Sequence, residues 1–233
     1  MGVGNSKYCG FMWGSMMKGF MKRLFALVLG LFLFALGIVL TIHANIGYAP
    51  WDVFHVGLAL TAGISIGVSA ILTGFAILAI VVVCGEKIGL GTVLNVILIG
   101  VFIDLIRFVR VIPVVDNIFI GIAMLIGGLF IISFGSYFYI KAGFSAGPRD
   151  SLMVLIKRKT KLPVGVCRSA IELTATVVGW LLGGMVGIGT VISVFGIGFC
   201  IQITFKILKF DVTAIKHENL KQTFDFFVKA KKQ

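Results

Sequence analysis

Charged residues, proline and paired cysteine are scarce in this sequence. Only 13% of its 233 residues are charged and four are proline, whereas about a quarter of an ordinary soluble domain is charged. Mean hydropathy is correspondingly high, at +1.10. This composition excludes a soluble globular domain and indicates a polytopic membrane protein, with several apolar runs long enough to cross a bilayer core of ~30 Å.

Acidic residues are also scarce, so the net charge is +12. A positive charge is compatible with nucleic-acid binding, but the basic residues stand at the edges of apolar runs, which is typical of anchors at a membrane surface. We therefore predict no nucleic-acid partner. The basic clusters lie at 18–23, 107–110, 157–161 and 206–232.

Catalytic and metal-binding motifs are missing from the sequence. The four cysteines are scattered without a CxxC pair, so they are interpreted as small apolar packing residues. There is no HExxH, GxSxG or P-loop pattern. We therefore predict no enzymatic activity, no metal and no cofactor.

Six long apolar segments and two short ones predict an all-α membrane domain. The short segments begin at Pro50 and Pro148, where proline favours the first turn of a helix. At about 12 residues each they span only ~18 Å, which fits a re-entrant or short-spanning helix. The long segments are 24–43, 65–84, 90–108, 112–140, 164–183 and 187–206, and the short ones are 51–62 and 149–160.

An internal repeat organises the chain. Shifted by 98 residues, positions 30–103 align with 128–201 without a gap and share 20 identities in 74 positions. The match keeps PWD at 50–52 in register with PRD at 148–150, which is typical of a duplicated unit. The predicted divisions are an extension at 1–20, repeat 1 at 21–110, repeat 2 at 111–208 and a basic amphipathic tail at 209–233.

The relative direction of the two repeats depends on the short helix. If it spans the membrane, each repeat has four crossings and the repeats are parallel. If it is re-entrant, each repeat has three crossings and the repeats are inverted. The sites after the short helices differ in charge, TAGIS at 61–65 against KRKTK at 157–161, as expected of equivalent loops on opposite sides. We therefore favour inverted repeats. Both arrangements place the N- and C-termini on the cytoplasmic side.

Each repeat has a polar, glycine-rich break before its short helix, at 43–52 and 141–150. Irregular backbone at membrane depth is tolerated where it packs in protein or lines a water-filled cavity. The helix N-terminus that follows directs amide groups and a positive dipole end at the break. Asp52 and Asp150 lie in these first turns. They are interpreted either as part of a transport site or as carboxylates that only complement the helix dipole.

Ionisable residues found only in the second repeat are stronger candidates. Arg168 and Glu172 are four residues apart, so they share a helix face and can pair, whereas repeat 1 has Ala70 and Gly74 there. A charge inside the membrane costs ~2.5–3.5 kcal/mol on insertion scales and suggests a function. Together with Arg149 and Asp150 they predict the binding of an anionic or zwitterionic solute. The alternative is a structural ion pair.

Four further polar residues complete the set of candidates. His55 belongs to the predicted site, either as a proton relay or as a hydrogen-bonded structural residue. Asn95, Asp104 and Gln202, which is equivalent to Asp104, are secondary candidates. The alternative for Asp104 is an interfacial pair with Arg107.

Several motifs together identify a family. They are ANIGYAPWDVFHVGL at 44–58, GLGTVLNVILIGVFIDL at 89–105, GPRDSLMVLIKRKT at 147–160, GWLLGGMVGIGT at 179–190 and the Arg168–Glu172 pair. In these motifs the sequence resembles the YczE/YyaS/YitT family of bacterial membrane proteins, and most closely its YczE-like branch. The resemblance covers residues 24–205 and implies a multi-pass protein of a bacterial plasma membrane with duplicated units. It implies no mechanism.

Two functions follow from these observations. The leading hypothesis is a small-solute transporter in the lipid bilayer, acting alone or as a homo-oligomer. The alternative is a non-transporting membrane scaffold or accessory subunit. A water-accessible cavity would favour the transporter, and a packed centre with Arg168 and Glu172 closed as an ion pair would favour the scaffold. The predicted solute site between the repeats consists of Asp52, His55, Arg149, Asp150, Arg168 and Glu172.

Overall fold

The computed structural model describes residues 4–86, 88–145, 147–211 and 215, with side chains described from residue 17. The described residues form eight helices and no strand. α1 continues into the predicted extension at 1–20, and the amphipathic helix predicted for the tail lies outside the described residues. The helices are α1 (Gly4–His43), α2 (Pro50–Ala62), α3 (Ile66–Val83), α4 (Leu90–Val109), α5 (Ile118–Lys141), α6 (Pro148–Thr160), α7 (Val164–Leu181) and α8 (Ile188–Ile207).

Every predicted segment corresponds to a helix, which confirms the all-α class. Six of the described helices have the length and composition to cross a membrane. The predicted start of the fourth long segment, at 112, is wrong, because α5 begins at Ile118. Val115, in the non-helical stretch before it, donates its amide to the carbonyl oxygen of His43 at 2.9 Å. Asn117 then caps α5 with its side-chain oxygen.

The two short helices start and stop in the same way. Each begins at a proline and carries an aspartate in its first turn. Proline fits there because it has no amide to leave unsatisfied and its φ is already helical. Each helix has 13 residues and ends at a residue with positive φ, Gly63 after α2 and Lys161 after α6. A sharp turn into the next long helix follows.

The helix bounds in the two halves of the chain differ by a constant offset. α2 and α6 begin and end 98 residues apart, as do α3 and α7 and also α4 and α8. α1 and α5 end 98 residues apart. Residues 20–109 are called equivalent below to the residues 98 positions further along the chain.

α1 and α5 cross at the centre of the bundle and run antiparallel, with much of the apolar core around α1, α4 and α5. Gly30 lies against Gly135 and Gly37 against Gly128, so residue numbers rise along one helix and fall along the other. A Cβ atom on Gly37 would lie 2.6 Å from the carbonyl oxygen of Gly128, so small residues permit this approach. The two contacts are equivalent to each other, since Gly30 corresponds to Gly128 and Gly37 to Gly135.

The two sides of the bundle are named here after residues near the two ends of the apolar part of α1, Met17–His43, as the Arg23 side and the His43 side. α4 begins on the Arg23 side, because the amide of Gly91 donates to Phe144 at 3.1 Å and Arg23 donates to nearby Ala142 at 2.8 Å. α4 therefore ends on the His43 side, where α3 begins beside it. The C-terminal ends of α1 and α2 therefore both lie on the His43 side, so α2 does not cross the bundle.

Contacts in the second half place α6, α7 and α8 relative to the same two sides. α8 begins on the His43 side, because the amide of Gly189 donates to the carbonyl oxygen of Ile46 at 2.7 Å. This bond is equivalent to the one between Gly91 and Phe144. α7 runs antiparallel to α8 and therefore begins on the Arg23 side, where α5 ends. α6 joins these two ends, so it also enters and leaves the bundle on one side.

Candidate functional site

The N-terminal ends of α2 and α6 meet inside the bundle. Trp51 in the first turn of α2 and Arg149 in the first turn of α6 are equivalent residues, and the guanidinium carbon lies 4.6 Å from the centre of the indole ring. At this distance a guanidinium makes a cation–π contact with the ring. The unpaired amides and the positive dipole ends of both helices are therefore brought together.

A cavity of about 330 Å³ surrounds these helix ends. This volume lies within the ~300–1,000 Å³ that small-molecule sites occupy. The walls are mostly apolar, and the charged groups are gathered on α2, α6 and α7. Its polar and charged lining residues are Asp52, His55, Thr73, Asn95, Ser136, Tyr139, Arg149, Asp150, Arg168, Glu172 and Ser193.

Arg149 is the central charged residue of the cavity. Within the described part of the chain its guanidinium makes no hydrogen bond and no ion pair, and its contact is the ring of Trp51. Asp52, Asp150 and Glu172 are near enough to act on it electrostatically. The N–H donors of Arg149 are therefore left without a protein acceptor in a cavity that carries carboxylates on several sides.

Asp52 and His55 form a buried pair on α2. Each is 3% exposed, and 3.9 Å separates Oδ1 of Asp52 from Nδ1 of His55, which is too long for a direct hydrogen bond. Nδ1 has no hydrogen-bond partner among the described residues. Buried polar atoms without a partner are rare, and since both residues line the cavity, a solute group can supply the missing contact.

Asp150 and Tyr139 form a second polar pair, on the α6 side. The Tyr139 hydroxyl donates to Oδ2 of Asp150 at 3.4 Å, a long and weak hydrogen bond. The side-chain amide of Asn95 lies close to the backbone that precedes α6, 3.9 Å from the Cβ position of Gly147. Asp150 therefore keeps much of its hydrogen-bonding capacity for another group.

Arg168 and Glu172 stand on α7 at the mouth of the cavity. Arg168 Nε donates to Glu172 Oε1 at 2.9 Å, one helical turn away. The side chain of Arg168 is 55% exposed and that of Glu172 is 22% exposed. The predicted pair is therefore formed, and it borders the cavity instead of closing a packed centre.

The α3–α4 seam, defined by Gly67 and Gly100, is closed on the His43 side. The two glycines face each other without room for a Cβ atom. Asp104 accepts hydrogen bonds from the Ser65 hydroxyl and from the Gly67 amide, the latter at 2.9 Å. Asp104 therefore caps α3, and its predicted alternative, an interfacial pair with Arg107, is not formed within the described residues.

The equivalent α7–α8 seam, defined by Gly165 and Gly198, is open on the Arg23 side. A Cβ atom on either glycine would have no neighbour within 4 Å. Gln202, the equivalent of Asp104, is exposed. The cavity extends into this gap, where Arg168 of α7 and Phe205 of α8 line it.

The structure brings the six primary predicted site residues together in one cavity, with Asn95, but Asp104 and Gln202 do not line it. Sequence reasoning missed Trp51, Tyr139 and Ser193. Trp51 was recognisable as the equivalent of Arg149, whereas the other two become site residues only through the packing of α5 and α8. No group of three potential metal ligands occurs within the described ranges.

Comparison with known proteins identifies the family. Residues 21–206 match the family of unknown function DUF6198, and the chain belongs to that family. It is 35% identical over 181 residues to "Uncharacterized membrane protein YczE" of Bacillus subtilis, covering 75% of this chain and 81% of that protein. The match agrees with the resemblance to the YczE-like proteins, and the name of that relative supports a membrane location.

Two further relatives extend the comparison. An "Uncharacterized protein" of Haemophilus influenzae is 32% identical over 187 residues, covering 80% of this chain and 85% of that protein. "Uncharacterized protein YyaS" of Bacillus subtilis is 27% identical over 184 residues, covering 78% of this chain and 91% of that protein. No solved structure matches the chain.

Proposed function

We propose that this member of DUF6198 is a transporter for a small polar solute, built from two inverted repeats with the solute site between them. The observation that carries the proposal is the charged cavity where α2 and α6 meet. Charges in a bundle of membrane-spanning helices are costly and mark solute or ion pathways. A site for a solute accounts for their convergence from both halves of the chain.

The contacts between the two halves support inverted repeats. α1 and its equivalent α5 run antiparallel, which parallel copies would not do. The bond from Gly91 to Phe144 and its equivalent from Gly189 to Ile46 are the reciprocal contacts expected of a two-fold axis. Inverted units with a site at broken helices are a common construction of secondary transporters.

The distribution of charge supports a cytoplasmic Arg23 side. This side carries Lys22, Arg23, the basic run at 157–161 and Lys206, whereas basic residues of the His43 side include Arg107 and Arg110. An excess of lysine and arginine marks cytoplasmic loops. In this orientation α2 and α6 are re-entrant helices, both termini are cytoplasmic, and the membrane is the plasma membrane of a bacterium.

The two seams supply the access that transport needs. The α3–α4 seam closes the cavity from the His43 side, and the open α7–α8 seam exposes it towards the Arg23 side. In the proposed orientation the described state is open to the cytoplasm. Closing one seam while opening the other would present the same site to the opposite side of the membrane.

One observation favours the alternative, a membrane scaffold or accessory subunit. Arg168 and Glu172 are already paired at 2.9 Å, and a pair that satisfies itself needs no solute. The cavity and the unpaired guanidinium of Arg149 favour the transporter, because a scaffold has no use for either.

Uptake by reconstituted protein tests the proposal. Proteoliposomes are incubated with a defined mixture of polar metabolites, and mass spectrometry identifies what they retain. Wild-type protein is expected to accumulate at least one solute. Arg149→Gln and Glu172→Gln should abolish that uptake, while Arg158→Gln, whose side chain pairs with Glu86 at 3.1 Å outside the cavity, should preserve it.

Two outcomes would contradict the transporter. If the contents match those of empty liposomes throughout, the scaffold alternative is favoured. If Arg149→Gln and Glu172→Gln both transport normally, the site assignment is wrong. Monodisperse elution of each variant in size-exclusion chromatography controls for misfolding.

A further inference from the structure

We propose that the cavity binds a small zwitterion, with its carboxylate on Arg149 and its protonated amine between Asp52 and Asp150. This inference names the class of solute and rests on the proposed transport function. It follows from which charged groups in the cavity have partners and which do not.

Arg149 supplies the contact for the carboxylate. The ring of Trp51 lies against the guanidinium at 4.6 Å, which holds the side chain in place and leaves the N–H donors at the edge of the plane. A planar guanidinium matches a carboxylate with two parallel hydrogen bonds. The first-turn amides of α2 and α6 add a field that also favours a negative group there.

Two buried polar atoms without a partner give an independent indication of a ligand. Nδ1 of His55 and Oγ of Ser193 have no hydrogen-bond partner among the described residues. His55 is 3% exposed and Ser193 is 1% exposed, and both line the cavity. A polar solute bound beside Arg149 would satisfy atoms that otherwise lose hydrogen bonds on burial.

The carboxylates of the cavity explain why a simple anion does not fit. Asp52, Asp150 and Glu172 outnumber the guanidinium groups of Arg149 and Arg168 by one. These carboxylates would therefore repel a phosphate or a dicarboxylate at close range, because charges interact strongly where the dielectric constant is low. Glu172 is already paired with Arg168, so Asp52 and Asp150 are the carboxylates left to receive an ammonium group.

The apolar walls indicate the rest of the molecule. Ile38, Ile99 and Leu129, from α1, α4 and α5, are among the apolar residues that line the cavity. A cavity of about 330 Å³ accommodates a body the size of an aliphatic or aromatic amino-acid side chain. The geometry therefore fits an amino-acid-like solute whose charged end lies on α2 and α6.

Thermal stability of the purified full chain in detergent tests this assignment. The probes are leucine and phenylalanine, the matched amine 3-methylbutylamine, the matched carboxylate 4-methylpentanoate, and inorganic phosphate. Leucine or phenylalanine is expected to raise the melting temperature, by roughly 5–10 °C at ~100-fold excess over Kd. At the same concentration, neither 3-methylbutylamine, which lacks the carboxylate, nor 4-methylpentanoate, which lacks the amine, should raise the melting temperature.

Variants locate the binding site. Arg149→Gln should abolish the shift, and Arg149→Lys should weaken affinity on the order of 100-fold, because an ammonium group lacks the paired donors. Arg158→Gln is the matched control on the same helix and should bind as the wild type does. If Arg149→Gln does not fold, the lysine variant and the probe series still decide the question.

The results that would contradict zwitterion binding differ from those that would contradict transport. If 4-methylpentanoate or phosphate raised the melting temperature as much as leucine does, the cavity would be an anion site. If 3-methylbutylamine did so, it would be a cation site. If neither leucine nor phenylalanine raised the melting temperature, the proposal would be wrong. If amino acids bind but proteoliposomes retain no solute, the proposed transport function fails and the binding site stands. If proteoliposomes accumulate a solute that is not a zwitterion, the transport function stands and this inference fails.

Discussion

The α3–α4 and α7–α8 seams have the same glycines at equivalent positions and opposite packing. Gly67 and Gly100 are in close backbone contact, whereas Gly165 and Gly198 have no neighbours at their Cβ positions. The small residues are therefore not sufficient to close a seam. The two seams therefore differ in packing, although their glycines stand at equivalent positions.

The difference between the seams can be traced to one equivalent position. Gly74 packs against Val96, where a Cβ atom would lie 2.7 Å from a valine methyl group. In α7 this position is Glu172, which lines the cavity together with Val194 of α8, the equivalent of Val96. Closing α7–α8 in the same geometry would bury the carboxylate, and that is costly unless Arg168 or a solute neutralises it. The α7–α8 seam is thus the one whose closure depends on charge.

The largest effect is expected from a bulky residue in the closed seam. Gly67→Leu should separate α3 from α4 and lower the melting temperature by roughly 5–10 °C, because overpacking costs ~1–3 kcal/mol or more. Gly165→Leu should change it by less than ~2 °C, since its Cβ has space. Differential scanning fluorimetry compares the two, and equal losses would show that the seams do not differ in solution.

Cross-linking should separate the seams next. With cysteines at Ser65 and Asp104, whose side chains are hydrogen-bonded across the closed seam, mild oxidation is expected to give nearly complete disulfide formation, because the two side chains are within reach of each other. Cysteines at the equivalent Pro163 and Gln202 should react more than ~10-fold more slowly. After the chain is cut by a protease between the two cysteines, gel mobility shows whether a disulfide still joins the two fragments. Rapid closure of both seams in the same sample would contradict the open α7–α8 gap. The background for both variants replaces Cys9, Cys84, Cys167 and Cys200 by alanine.

A smaller effect is expected from the cap of α3. Asp104→Asn removes a charged acceptor for the Gly67 amide and should cost ~1 kcal/mol, as the loss of other helix caps does. Gln202→Ala at the equivalent exposed position should have no measurable effect. Chemical denaturation of both variants tests this, and a larger loss for the Gln202 variant would reverse the assignment of the closed seam.

The smallest effect is expected outside both seams. Arg158 pairs with Glu86 at 3.1 Å, and 55% of its side chain is exposed. Ion pairs of this kind contribute ~0–1 kcal/mol, so Arg158→Gln should leave stability nearly unchanged. If Arg158→Gln did not fold, the Arg158–Glu86 pair would stabilise the Arg23 side far more than expected, and this variant could not serve as the control.

Local signals in the sequence were enough for the helices and for much of the site. Pro50 and Pro148 mark the starts of α2 and α6, and the 98-residue offset matches the helix bounds of both halves. The convergence of Asp52 and Asp150 followed from the expectation that broken helices meet at one site. The stacking of Arg149 on Trp51 could have been derived from their equivalence.

The state of the seams was beyond what the sequence could predict. Gly67 and Gly165 are the same residue in the same register, and only the tertiary approach of α4 or α8 distinguishes their surroundings. Tyr139 lines the cavity because α5 crosses α1, and no local pattern marks it. Asp104 and Gln202 were treated as equivalents, but one caps a helix in a closed seam and the other is exposed.

Access to the cavity from the two sides of the membrane tests the central claim most directly. Met153 lines the cavity, and Met153→Cys in a cysteine-free chain can be labelled with a membrane-impermeant maleimide in right-side-out and inside-out vesicles. The transporter account predicts fast labelling from the Arg23 side and slower but measurable labelling from the His43 side, as the seams exchange. Labelling from one side alone would contradict it, because a cavity that never opens to the other side is a pocket and not a passage.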